Sequence, residues 1–99
     1  MNIINYYRDK IKNILLDEFT LKESDLENVS FELPKESSLG DLSTNASMVL
    51  TGKLKKSPQE IASTIINLIK DNPDFEEVQL AGKGFINIYF KKHIWWNLL

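Results

Sequence analysis

Apolar and polar residues alternate most strictly near the end of the chain, in Phe85-Ile86-Asn87-Ile88-Tyr89-Phe90. Successive side chains of a β-strand point to opposite faces. The pattern predicts a strand with Ile86, Ile88 and Phe90 on a core face. Phe85, Asn87, Tyr89 and Lys91 then share the other face. Residues 75–80 predict the partner strand, with Val78 and Leu80 inward and Glu77 and Gln79 on the same outer face as Asn87. Between the two, Ala81-Gly82-Lys83-Gly84 reads as a hairpin loop, because glycine supplies the backbone freedom that tight turns need. Residues 29–33 also alternate, with Val29, Phe31 and Leu33 on the buried side. Pro34 closes that run by withdrawing a ladder donor.

Elsewhere the period is helical. Ile4, Tyr7, Ile11, Ile14 and Leu15 recur at spacings of three and four and predict a first helix that ends near Phe19. The segment Gly40-Asp41-Leu42-Ser43-Thr44-Asn45 is expected to open a second helix. Asp41 is its N-cap, and Leu42, Ala46, Val49 and Leu50 are its apolar stripe. Gly52 weakens its end. Ser57-Pro58-Gln59-Glu60 is the clearest helix start in the chain: Ser57 caps, Pro58 takes the first helical position and Glu60 completes a capping box. Ile61, Ile65, Leu68 and Ile69 follow as a stripe, and Asn72-Pro73 stops the helix.

The predicted order is α-β-α-α-β-β. Such an order makes an α+β fold of two layers, with helices packed on one face of a small, mainly antiparallel sheet. One sheet face is covered and the other meets water. The first strand is given a possible extended partner in the loop 35–39. Residues 1–92 are assigned to a single domain, and 93–99 to the start of a linker or helix leading to a further domain. The tail from His93 to Leu99 carries two tryptophans and two leucines, too much apolar surface to leave in water. It either folds back on its own domain or packs on the next one.

Composition narrows the function classes. The chain has 99 residues, 42% of them apolar, enough for one small core. It has no cysteine, which removes disulfides and thiolate metal sites. No apolar run approaches the ~20 residues of a spanning helix. Met1 to Asn5 lacks the features of a signal peptide, and a cytoplasmic location is expected. The net charge of −2 argues against a module that grips nucleic acid by charge alone. The cations are nonetheless unevenly placed. Lys53, Lys55 and Lys56 cluster after the middle segment, and Lys83, Lys91 and Lys92 flank the last strand.

No catalytic or metal-binding set emerges. His93 is the sole histidine and lacks a serine or cysteine at a telling spacing. Gly82-Lys83-Gly84 lacks the frame of a phosphate loop and leads into a strand, so turn chemistry explains it. The pairs Asp17-Glu18 and Glu76-Glu77 read as solvated faces. Asn45, an amide early in the expected helix, reads as structural, capping the helix or tying the loop back to the strand, with a partner-facing role as the alternative. What remains is the outer sheet face. Two rings, an amide and a cation on one strand can stack a base, read its edge and hold a phosphate. The alternative is a docking face for a protein domain, with the Trp95-Trp96 tail as a second contact.

Three segments in order, residues 40–45 (GDLSTN), 57–62 (SPQEIA) and 81–87 (AGKGFIN), give the chain a resemblance. It resembles the N-terminal additional domain of class I arginyl-tRNA synthetases over nearly its whole length. The resemblance implies a non-catalytic domain ahead of a Rossmann-like catalytic domain. It implies contact with the tRNA elbow at the D-loop, through an aromatic and an asparagine that match Phe85 and Asn87. Tyr89 and Lys91 join this patch because they share the face, and Lys83 because it lies beside it. ATP is implied for the parent enzyme, with no cofactor in this segment. The partners implied are tRNA and the catalytic domain of the same chain, with a monomer expected and no membrane. The nucleotide-binding motifs of class I enzymes, His-Ile-Gly-His and Lys-Met-Ser-Lys, do not occur in these residues.

Overall fold

The computed structural model describes residues 2–36 and 40–96. It is an α+β fold with helices against one face of a four-stranded antiparallel sheet of order β1-β2-β4-β3. The strands are β1 (Phe31–Glu32), β2 (Leu42–Thr44), β3 (Phe75–Ala81) and β4 (Phe85–Phe90). The helices are α1 (Ile3–Glu18), α2 (Ala46–Val49), α3 (Thr51–Leu54), α4 (Pro58–Ile69) and α5 (Lys92–Trp96), with a 3₁₀ turn at Glu23–Leu26.

Helix α1 forms where the apolar period requires it and buries Tyr7, Ile11 and Leu15. The Asn2 side chain caps it by accepting from the Asn5 amide at 3.1 Å. Helix α4 buries Ile61, Ala62, Ile65 and Ile69. Ser57 Oγ accepts from the Glu60 amide at 3.2 Å, as a cap should. The Glu60 carboxylate, however, meets the Ser57 hydroxyl at 3.3 Å, so the reciprocal bond of a full capping box goes to the side chain. These helices and the inner face of the sheet share one core, in which Leu42, Ile65, Ile86 and Ile88 are completely buried.

The largest departure from expectation is at residues 41–45. Leu42–Thr44 is a strand, not the first turn of a helix. It fills the centre of the sheet between β1 and β4. Asp41 caps no helix. Its amide donates to the Ile88 carbonyl and its carboxylate accepts from the Phe90 amide, each at 2.8 Å. Gly40 (φ +101°) makes this approach possible, since a Cβ there would lie 2.9 Å from the Ile88 carbonyl oxygen. Thr44 Oγ1 accepts from the Ala46 amide at 3.2 Å, so α2 starts four residues later than the expected helix. The expected stripe is still inward, because Leu42, Ala46 and Leu50 are all buried.

Two smaller corrections concern the strand ends. Leu33, assigned to the core face, is 64% exposed, because β1 stops at Glu32 ahead of Pro34. Leu80 is exposed at the edge strand β3, although Val78 and Phe75 pack inward. The extended partner of β1 is β2; residues 37–39 of the loop proposed for that role lie outside the described residues. At the other end, Ile94 on α5 is buried in the core, so the tail's first turn belongs to this body. Residues 97–99 lie outside the described residues. Among those described, no helix is long and apolar enough to cross a membrane.

Candidate nucleic-acid interface

The outer face of the sheet is organised by register. Glu32 pairs with Ser43, Ser43 with Asn87, and Asn87 with Gln79. Four polar side chains therefore stand in one row across all four strands. Glu77 stands opposite Tyr89 on the same face, and Gln79 Nε2 donates to Glu77 Oε1 at 2.6 Å. The expected placement of Glu77 and Gln79 beside Asn87 is thus observed. Ile86 and Ile88 point the other way and are completely buried.

Asn87 differs from expectation in one respect. It lies on the outer face but is only 6% exposed. It sits mid-row, at the floor of a concavity of about 370 Å³. Ser43 completes the floor, and Leu33, Pro34 and Phe85 line the sides. Phe85 is 42% exposed. Among the described residues, no hydrogen bond engages the Asn87 side-chain amide, and its polar atoms are not sealed from solvent. The concavity therefore has mainly apolar sides to which Glu32 and Lys35 also contribute, an amide at its base that both donates and accepts, and an opening to water. A flat ring with a polar edge matches that distribution. Leu33 is the lining residue that sequence reasoning misplaced. The signal lay in Pro34, which ends the alternation one residue early.

Tyr89 and Lys91 do not enter this concavity. They line a second hollow of about 610 Å³ with Asp41, Glu76, Lys92 and His93. Tyr89 and Lys91 are half-buried, and the Lys91 amide donates to the Asp74 carbonyl at 2.9 Å. Lys83 is exposed at the hairpin tip, beside Phe85. The expected patch is thus divided: Phe85 and Asn87 meet in one place, Tyr89 and Lys91 in a neighbouring one, and Lys83 stands at the rim of the sheet.

Below the second hollow is a short polar cluster. The Tyr7 hydroxyl donates to Asp74 Oδ2 at 2.6 Å, and His93 Nε2 lies 3.4 Å from Asp74 Oδ1. The Tyr7 hydrogen bond, with a smaller contribution from His93, holds the Asp74 carboxyl below the usual carboxylate range. Burial, then the Asp74 hydrogen bond and charge, push the Tyr7 phenol well above its ordinary value. Among the described residues, no group of His, Asp and Glu is placed to hold a metal ion.

Comparison with known proteins identifies the family of the chain. The family model described as "Arginyl tRNA synthetase N terminal domain" matches residues 3–90. An arginine–tRNA ligase of Bartonella bacilliformis is 38% identical across the whole of this chain, which spans 18% of that relative. An arginine–tRNA ligase of Carboxydothermus hydrogenoformans is 48% identical over 67% of the chain and 12% of the relative. Among solved structures, the arginyl-tRNA synthetase of Plasmodium falciparum superposes with a TM-score of 0.77, covering 93% of this chain and 16% of that one. At 20% identity that likeness concerns the fold, and it agrees with the helices and antiparallel sheet described above. With the family match covering every strand and helices α1 to α4, the chain belongs to the arginyl-tRNA synthetase N-terminal domain family.

Proposed function

We propose that this domain recognises the elbow of tRNA, at the D-loop, for an arginine–tRNA ligase that arginylates the tRNA with ATP. The domain itself is non-catalytic; ATP, arginine and the chemistry belong to the remainder of that enzyme. An unstacked base enters the concavity, Phe85 stacks on its face and the Asn87 amide bonds its edge. Tyr89, Lys91 and Lys83 contact the flanking nucleotides. The observation that carries this reading is Asn87: a 6%-exposed amide with no hydrogen-bond partner among the described residues, at the base of a hollow with mainly apolar sides.

The test is steady-state kinetics of the full-length enzyme. Base–aromatic stacking is worth ~1–3 kcal/mol, so Phe85→Ala should raise KM for tRNA by roughly 5- to 150-fold. Asn87→Ala should raise the same KM, and KM for ATP and for arginine should stay put in both variants. Unchanged tRNA dependence in both variants removes the base-recognition role.

A further inference from the structure

We infer that the turn between α3 and α4 and the tip of the β3–β4 hairpin form one cationic strip, Lys55-Lys56 with Lys83, that takes the phosphodiester backbone of the RNA whose base is read at Phe85 and Asn87. The inference rests on the tRNA reading above and adds a second contact surface to it. Lys55 and Lys56 lie 28 and 27 positions before Lys83, and the fold brings them to one end of the molecule. The link is Gly84. This buried glycine (φ +143°) lies so close to the α4 start that a Cβ on it would be 2.8 Å from Pro58 Cβ and 2.8 Å from Met48 Cγ. Lys56 and Ser57 directly precede Pro58, and Lys83 directly precedes Gly84. The hairpin tip and the α3–α4 turn are therefore neighbours, while the next residue, Phe85, points out over the recognition face.

The charges at this end are available. Lys55, Lys56 and Lys83 are exposed. Among the described residues no carboxylate forms an ion pair with any of the three. Asp25 and Glu60 have partners other than these three lysines. Asp25 faces Lys53 at 3.9 Å and accepts from the Lys22 amide, and the Glu60 carboxylate takes the Ser57 hydroxyl. Lys55 also adopts the left-handed backbone conformation (φ 54°, ψ 45°) at the end of α3, a position where glycine is the usual occupant. A long cationic side chain stands there despite the local backbone preference. In a chain of net charge −2, three such cations gathered at one end form a local field that attracts a polyanion. A strand leaving the Phe85 concavity around the hairpin tip runs onto them.

The experiment measures binding of transcribed tRNA to the full-length enzyme across a salt series. The variant is Lys55→Gly with Lys56→Gln and Lys83→Gln; glycine at 55 suits the left-handed backbone, so the fold is retained. Removing one lysine–phosphate pair lowers the slope of log affinity against log salt by about 0.7 for a single strand. The triple variant should flatten the slope by roughly 1.4–2.1, with affinity at low salt falling most. Lys70→Gln, at the far end of α4, should leave the slope as it is. An unchanged slope in the triple variant overturns the strip. If Asn87→Ala still weakens binding in that case, the base-recognition reading stands and only the strip fails. If Asn87→Ala is also without effect, both fail.

Discussion

The Tyr7 hydroxyl donates to the Asp74 carboxylate at 2.6 Å, joining the first helix to the residue that leads into β3. The Tyr7 ring is itself part of an aromatic cluster with Phe75 and Phe90, at centroid distances of 5.4 and 4.9 Å. One residue thus couples helix, hairpin and, through the His93 contact of Asp74, the first turn of α5. A hydrogen bond to a charged acceptor is worth about 1.5–3 kcal/mol when buried. Asp74 keeps some solvent contact, so Tyr7→Phe should lower the unfolding free energy by about 1–2 kcal/mol at pH 7 in urea titrations.

The same pair gives stability a defined pH dependence. Asp74 is held low in the folded state, so its contribution is present above the unfolded aspartate value of about 3.9 and is lost as acid takes the pH below it. Tyr7 is held high, so its contribution is present below the unfolded phenol value of about 10 and is lost as alkali takes the pH above it. The difference between wild type and Tyr7→Phe should be largest between about pH 5 and pH 9 and should shrink on both sides. A constant difference from about pH 3 to about pH 11 contradicts the pairing.

Two asparagines allow a structural role to be told apart from the proposed recognition role. Asn45 Oδ1 accepts from the Ser30 amide at 2.8 Å, and its Nδ2 donates to the Asn28 carbonyl at 3.3 Å. Asn45→Ala leaves a half-buried amide unmet and should cost about 1–3 kcal/mol of stability. Asn87 is more buried but has no such bond among the described residues. Asn87→Ala should change stability by less than about 1 kcal/mol while weakening tRNA binding. Equilibrium unfolding of both variants distinguishes them, and a larger loss for Asn87 than for Asn45 marks it as a structural residue.

The hairpin glycines make a similar pair. Both have positive φ, but a Cβ at Gly82 meets nothing within 4 Å, whereas one at Gly84 runs into Met48 and Pro58. Gly82→Ala should cost about 1 kcal/mol through backbone preference alone. Gly84→Ala adds overpacking and should cost about 2 kcal/mol or more, with the loss read as a lower thermal midpoint.

Much of this architecture is legible in the residue pattern. The β4 alternation, the α1 stripe, the Ser57 cap and the α4 stripe apart from Leu68, which is exposed with Ala62 buried in addition, recur in the fold, because each is set by neighbours within a few positions. The segment from Asp41 to Asn45 is not legible. An aspartate before a leucine and a polar triplet looks the same whether it caps a helix or ties a short strand. What decides is Ile88 and Phe90, more than forty residues on, whose backbone groups claim Asp41. The depth of Asn87 has the same origin. The alternation gives its face, but the concavity around it is made by Leu33 and Pro34 from the far side of the sheet. The division between the Phe85–Asn87 hollow and the Tyr89–Lys91 hollow is equally a matter of walls supplied from elsewhere.

Strand β4 is hydrogen-bonded to a neighbour on each side. Asn87 pairs with Ser43 on one side and Gln79 on the other, so its backbone has little local freedom to lose when a ligand arrives, whereas Phe85 pairs only with Ala81, next to the hairpin loop. Little ordering entropy opposes capture, so even a small contact can be selective. The corollary is that such a surface cannot mould itself to a misfitting guest. Under the proposed reading, Leu33 and Pro34 form the wall that comes from outside β4, and substitutions at those two positions will retune what the concavity accepts without disturbing β4.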